Sequence, residues 1–197
     1  GDALVTPLNV LVGGQASPTD SGSQNLEQPK ALRGERGPEL VKFKTRPSGW
    51  DDKHTEVLRA FFKRQRAVVL SRLGGKSDWW DEDRWNKELA EDLYKLGVAI
   101  SEDAAKAALD GMGVNPDSYD ISRTLAFLKV RAKASAENIN TKTREAVQQS
   151  LDDDEDPADV FDEAEDSRAG LLAAAAVTAA AGFGTSEAGK QSGAATK

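Results

Sequence analysis

A chain of 197 residues with 39% hydrophobic and 6% aromatic composition holds one medium domain or two small ones and has little apolar material for a single large core. It has no cysteine, which excludes a disulfide framework and thiolate metal sites and fits a reducing compartment. Its formal net charge of -7 argues against a general nucleic-acid binder, because phosphate contact rests on clustered Lys and Arg.

The charge is unevenly placed. Arg59 to Lys76 contains six basic residues and no acidic one, whereas Asp152 to Asp166 contains ten acidic and no basic. The four tryptophans, Trp50, Trp79, Trp80 and Trp85, crowd one region and mark where a core should form.

Residues 1–49 carry Pro7, Pro18, Pro29, Pro38 and Pro47 with interspersed glycines, a spacing that forbids a long helix and predicts an extended arm. Val10-Leu11-Val12 and Leu40-Val41-Lys42-Phe43 read as short strands within it. The polar stretch Gln15 to Lys30 fits either a disordered linker or an arm laid across a neighbouring subunit.

Asp51 and Asp52 offer N-caps for a helix from about Lys53 to Leu73, with Leu58, Phe61, Phe62, Val69 and Leu73 as its buried stripe and Gly74-Gly75 as its stop. Arg59, Lys63 and Arg66 share another face. That face is either solvated and paired with acidic neighbours, or it meets nucleic acid or the acidic segment at 152–166. The three residues are candidate DNA-facing positions. His54, the only histidine, falls in the first turn and reads as a surface residue.

Ser77 or Asp78 caps the next helix, which opens at Trp79-Trp80 with an acidic first turn suited to the helix dipole. Trp85, Leu89, Leu93 and Leu96 make its inner face, and Gly97 reads as its end. Spacing places Trp79 and Trp80 in the core or at a subunit interface rather than in a ligand site. A short helix, Glu102 to Asp110, follows a Ser101 cap, and Asn115-Pro116-Asp117 makes the next turn.

From residue 120 to 136, Ile121, Leu125, Leu128 and Ala132 fall on one helical face and Phe127, Val130 and Ala134 nearly opposite. Two apolar faces predict cover on both sides, so Phe127 and Val130 join the tryptophan pair as candidate subunit-interface residues. The run Glu137 to Thr141 breaks the pattern. It predicts a corner at which Asn140 or Thr141 caps a second helix beginning near Lys142.

Asp152 to Asp156 reads as an acidic linker, with Pro157 as the first residue of another helix. It lacks the Gly and Glu spacing of a calcium loop. From Ser167 an alanine-rich helix is expected to end near Ala181, loosened by Gly182, Gly184 and Gly189, with a mobile tail. Its most apolar run, Ala169 to Phe183, falls short of the roughly 20 residues of a membrane span, so no membrane association is expected.

The predicted fold class is thus mainly α: an extended arm (1–49), a helical domain (50–151), an acidic linker with a short helix (152–166) and an alanine-rich helix with a tail (167–197), about five to six helices in all. A Ser-His-Asp arrangement would have to use His54, and no G-x-S-x-G or P-loop occurs. The expectation is a non-enzyme with no catalytic residue, cofactor or metal. The chain starts at Gly1 without Met and stops at Lys197 with no closing element, so its ends read as those of a fragment or processed product.

Asp2 to Asp20, with Pro7-Leu8-Asn9-Val10-Leu11-Val12-Gly13-Gly14-Gln15-Ala16-Ser17-Pro18, resembles the late region of portal proteins of tailed bacteriophages that infect actinobacteria. From Leu58 onward the chain resembles the minor head, or head-morphogenesis, family of Mu-like phages. Phe61-Phe62-Lys63-Arg64-Gln65, Trp79-Trp80-Asp81-Glu82-Asp83-Arg84-Trp85 and Ala136-Glu137-Asn138-Ile139-Asn140-Thr141-Lys142-Thr143 carry that second likeness. Where related minor head sequences often have Arg-Thr-Glu in the last helix, this chain has Ala174-Ala175-Ala176, so no polar role is carried over.

The resemblance implies a virion structural protein, a portal-type subunit of a ring of about a dozen copies through which DNA is packaged and ejected. Its helical domain would lie on the head-interior side of the portal vertex, after assembly in the host cytoplasm. Implied partners are further copies of the chain, other head or connector proteins and packaged double-stranded DNA. The alternative is an internal scaffold-like or minor capsid protein that binds the portal or coat protein.

Overall fold

The computed structural model describes residues 49–74 and 78–193. The expected arm strands, the Ser77 cap and the expected mobile tail lie outside the described residues, the tail except for its first positions. Among the described residues the protein is mainly helical and contains no strand.

Helix α1 spans Trp50–Leu73. It starts earlier than expected: Gly49 occupies the N-cap position at φ 84°, and Asp51 and Asp52 lie within the first turn, where carboxylates suit the helix dipole. Helix α2 spans Glu82–Gly111, capped by Asp81, whose carboxylate accepts from the Arg84 backbone N–H. The predicted stop at Gly97 and restart at Ser101 do not occur. Gly97 stays helical because a Cβ there would lie 3.3 Å from Leu128 Cδ2, so the glycine admits a neighbouring helix. The Ser101 hydroxyl donates to the Ala180 carbonyl at 2.7 Å, an interhelical bond in place of a cap.

A 3-10 turn, Pro116–Ser118, leads into helix α3, Ser122–Asp152. The corner predicted at 137–141 is absent. Buried Leu128, Ala132, Ala136, Ile139, Thr143, Val147 and Ser150 keep one helical face going through the whole span. Asn140 and Thr143 occupy that face, so polar residues at core positions made a continuous helix look interrupted.

Helix α4, Pro157–Glu163, is capped by the Asp156 carboxylate. It passes through a π-helical turn, Ala164–Arg168, into helix α5, Ala169–Gln191. Together these make a rod of 35 residues, Pro157–Gln191, where a separate short helix and a helix ending near Ala181 were expected. Gly182, Gly184 and Gly189 remain helical. The rod is long and apolar enough, by length and composition, to cross a bilayer, which the shorter run read from sequence was not; here its inner face packs on α2.

Among the described residues, four long rods replace the five or six helices expected. Helix α2 lies between α3 and α5, and α1 packs on α5. Helix α1 runs antiparallel to α2: Trp50 Nε1 donates to Asp103 at 3.0 Å, and Arg64 reaches Asp92 at 3.3 Å. Helix α5 runs parallel to α2, from the Ser101–Ala180 bond to Ser192 Oγ beside Met112 Sδ at 3.4 Å. The aromatic core collects at the start of α2, where Phe61 meets Trp85 edge to face with centroids 6.0 Å apart. Toward the other end the core narrows to Ala105, Ala108, Leu109 and Ala188.

Candidate functional site

On α1, buried His54, Leu58, Phe61, Phe62, Gln65 and Val69 recur at helical spacing. Two of these are polar: His54, which corrects the sequence reading, and Gln65, for which the sequence reading made no assignment. Gln65 Nε2 donates to Asn140 Oδ1 at 3.1 Å, and Asn140 Nδ2 donates to Asn86 Oδ1 at 2.8 Å. This chain of amides links α1, α3 and α2 inside the core, where each bond is held in a low-dielectric setting. The spacing of Gln65 from Leu58, Phe61 and Val69 was the signal available in the sequence.

His54 is 1% exposed, not a surface residue, and neither ring nitrogen has a hydrogen-bond partner. Burial pushes its pKa down from 6.5 to about 4, against a smaller upward pull from Asp51. The ring is therefore neutral at pH 7. It lies beneath a cleft of about 360 Å³ between α3 and α5, lined chiefly by Leu93, Leu128, Ile139, Leu172 and Ala176, with Arg131 at the rim. Helices α3 and α5 also meet through the Phe127–Phe183 stack, with centroids 3.8 Å apart and planes within 4°. Arg168, just before α5, donates to Thr143 Oγ1 at 3.0 Å and to the Ile139 carbonyl at 3.2 Å. Burial lowers the Arg168 pKa, partly offset by Glu163; the guanidinium remains charged and also sits over the Phe62 ring at 5.9 Å.

The basic face of α1 is largely engaged by the acidic segment. Arg59 Nε donates to the Glu165 carbonyl at 2.9 Å. Arg66 pairs with the Asp162 carboxylate through both terminal nitrogens and lies 3.9 Å from Glu165. Lys63 remains exposed. The structure thus brings Arg59 and Arg66 together with residues 162–165, and leaves Lys63 as the member of the trio facing solvent.

Trp79 and Trp80 meet edge to face at 5.6 Å; Trp80 is 8% exposed and Trp79 half-buried against the same core. Phe127 is half-buried by its stack on Phe183. Val130 is 72% exposed, and among the described residues the other large, highly exposed hydrophobic side chain is Leu171 at 74%. Of the four candidate interface residues, only Val130 stands fully outward.

Among the described residues, no three His, Asp or Glu side chains cluster in a way that would hold a metal ion. Gln65, Asn140 and Ser101 are joined across helices, an arrangement suited to fixing helix register, whereas both ring nitrogens of buried His54 are without a partner. Compared with family models, with characterised proteins and with solved structures, the chain finds no match.

Proposed function

We propose that this chain is a structural protein of a tailed-phage head, a portal-type subunit whose helical body stands toward the head interior at the portal vertex. The observation that supports this reading is the convergence of the three segments that carry the resemblance to minor head proteins. Phe61 and Phe62, then Trp80 and Trp85, then Ala136 and Ile139 all enter one core, and Gln65 and Asn140 from two of the same segments bond at its centre. The likeness is thus borne by residues that position helices, and the function it suggests is mechanical. Copies of the chain assemble into a ring of about a dozen with other head or connector proteins as neighbours.

A second reading, an internal assembly protein that binds the portal or coat protein, is favoured by the charge of the body. The described residues carry 28 acidic and 18 basic side chains, a balance that suits protein partners better than phosphate. Under the portal reading, contact with packaged DNA runs through the solvent-facing Lys63, since Arg59 and Arg66 are already engaged.

The native mass of the purified chain, measured by light scattering at several concentrations, tests the proposal. A closed oligomer of about a dozen copies supports the portal subunit, and a species no larger than a dimer throughout overturns it in favour of the assembly protein. For the DNA part, Lys63→Glu should weaken salt-dependent DNA retention. Unchanged retention removes DNA from the partners.

A further inference from the structure

Helices α3 and α5 touch through Phe127 and Phe183, and again where Arg168 bonds to Thr143 and the Ile139 carbonyl. The cleft lies along the stretch from one contact to the other: its walls run from Leu128 to Ile139 on α3 and from Leu172 to Ala180 on α5. That stretch of α3 is about 16 Å long. A volume of about 360 Å³ spread over it leaves a cross-section of roughly 20 Å², the width of a single hydrocarbon chain. A helix, about 10 Å across with its side chains, is too thick to enter. Because contacts hold the two walls together on either side of the cleft, they cannot part to admit one.

Two polar groups gather at one end. Trp50 of α1 bonds to Asp103 of α2, so His54, one turn further along α1, falls level with the turn at Ser101, whose hydroxyl bonds to Ala180. Arg131 follows Leu128 by one turn, and Leu128 packs on Gly97. Both therefore stand toward the Leu128–Ala180 end, His54 beneath the cleft and Arg131 at its rim. Arg131 is exposed and has no ion pair among the described residues, and no acidic side chain lines the cleft. Buried polar groups nearly always have a hydrogen-bond partner, yet the ring nitrogens of His54, a residue 1% exposed, have none.

We propose that the cleft binds one linear carboxylate of about twelve carbons, with its chain laid between α3 and α5 and its head held by Arg131 and His54. A saturated chain advances about 1.25 Å per carbon, so this length fills the cleft from the polar end to Leu172 and Ile139. The walls along the chain are mostly alanine and leucine, suited to methylenes. At the head, the planar guanidinium of Arg131 matches a carboxylate, and a neutral imidazole has one N–H to donate to it. One guanidinium and one neutral ring suit a monoanion better than a phosphate dianion. The site is complete within one copy, so its failure leaves the portal reading untouched.

His54 is the only histidine, which makes its imidazole proton resonances a reporter of this cleft alone. In the full-length protein at pH 7, dodecanoate kept below its micelle concentration should bind one to one by calorimetry and shift those resonances. Hexanoate should bind at least tenfold more weakly. Arg131→Gln should weaken dodecanoate at least tenfold, and so should Ala175→Trp, whose ring would cover the groove from an exposed wall position. Both substitutions are at exposed sites, and circular dichroism checks that the fold is kept. No saturable binding up to about 1 mM overturns the proposal. So does binding that leaves the histidine resonances unmoved, binding undiminished in either variant, or dodecyltrimethylammonium binding as tightly as dodecanoate.

Discussion

A Cβ on Gly184 would lie 2.2 Å from the carbonyl oxygen of Ser101, so α5 and α2 touch backbone to backbone at this point. The neighbouring Ser101–Ala180 hydrogen bond holds the two helices at that distance, and any side chain at 184 must push them apart. Gly184→Ala is therefore expected to destabilise the fold by about 1–3 kcal/mol through overpacking, despite the better helix propensity of alanine. Gly170, in the same helix, has open space where its side chain would be. Gly170→Ala should stabilise by up to about 1 kcal/mol. Urea unfolding of both variants checks the contrast, and equal effects would mean that the close approach does not exist.

The amide chain through Gln65, Asn140 and Asn86 should behave as a unit. Asn140→Ala strips Gln65 Nε2 of its partner in a fully buried position, where an unsatisfied group costs about 1–3 kcal/mol on top of the cavity. Replacing Gln65 and Asn140 together by leucine removes both polar groups and should recover part of that loss. A double-mutant cycle by chemical denaturation measures the coupling, expected between about 0.5 and 3 kcal/mol.

The buried His54 makes stability depend on acid. Its folded pKa of about 4 lies below the ordinary histidine value of 6.5, so between those values the unfolded chain binds a proton that the folded chain refuses. Stability is unaffected above about pH 6.5, falls as pH drops below it and reaches its full loss, about 3 kcal/mol, below about pH 4. In His54→Leu this contribution vanishes. The variant should therefore gain on the parent chain as pH falls from 7 to 4, and a constant difference across that range would show that the ring is not buried neutral.

Arg168 bonds to α3 through two nitrogens from within the π-helical turn. Arg168→Ala should cost about 2–3 kcal/mol, because the charged donor's bonds and its packing on Phe62 are lost together. Arg168→Lys should restore little, since a single ammonium cannot span Thr143 and the Ile139 carbonyl as a planar fork does. Thermal unfolding of the pair decides it. A fully stable lysine variant would mean that charge alone matters here.

The sequence by itself determined the helical class of the body, the stripe of Leu58, Phe61, Phe62 and Val69, the core role of Trp85, Leu89 and Leu93, and the start of a helix at Pro157. Each of these follows from local periodicity or from a backbone preference, and both act within a few residues. Only the tertiary structure decided that Gly97, Ser101, Asn140 and Gly184 lie inside long helices rather than at their ends. The same residue types break or cap a helix facing water, and they join helices when a neighbouring backbone or amide stands opposite; that opposite partner is far away in sequence. His54 was misread for the same reason. An isolated first turn places it in solvent, and α5, more than a hundred residues later, covers it.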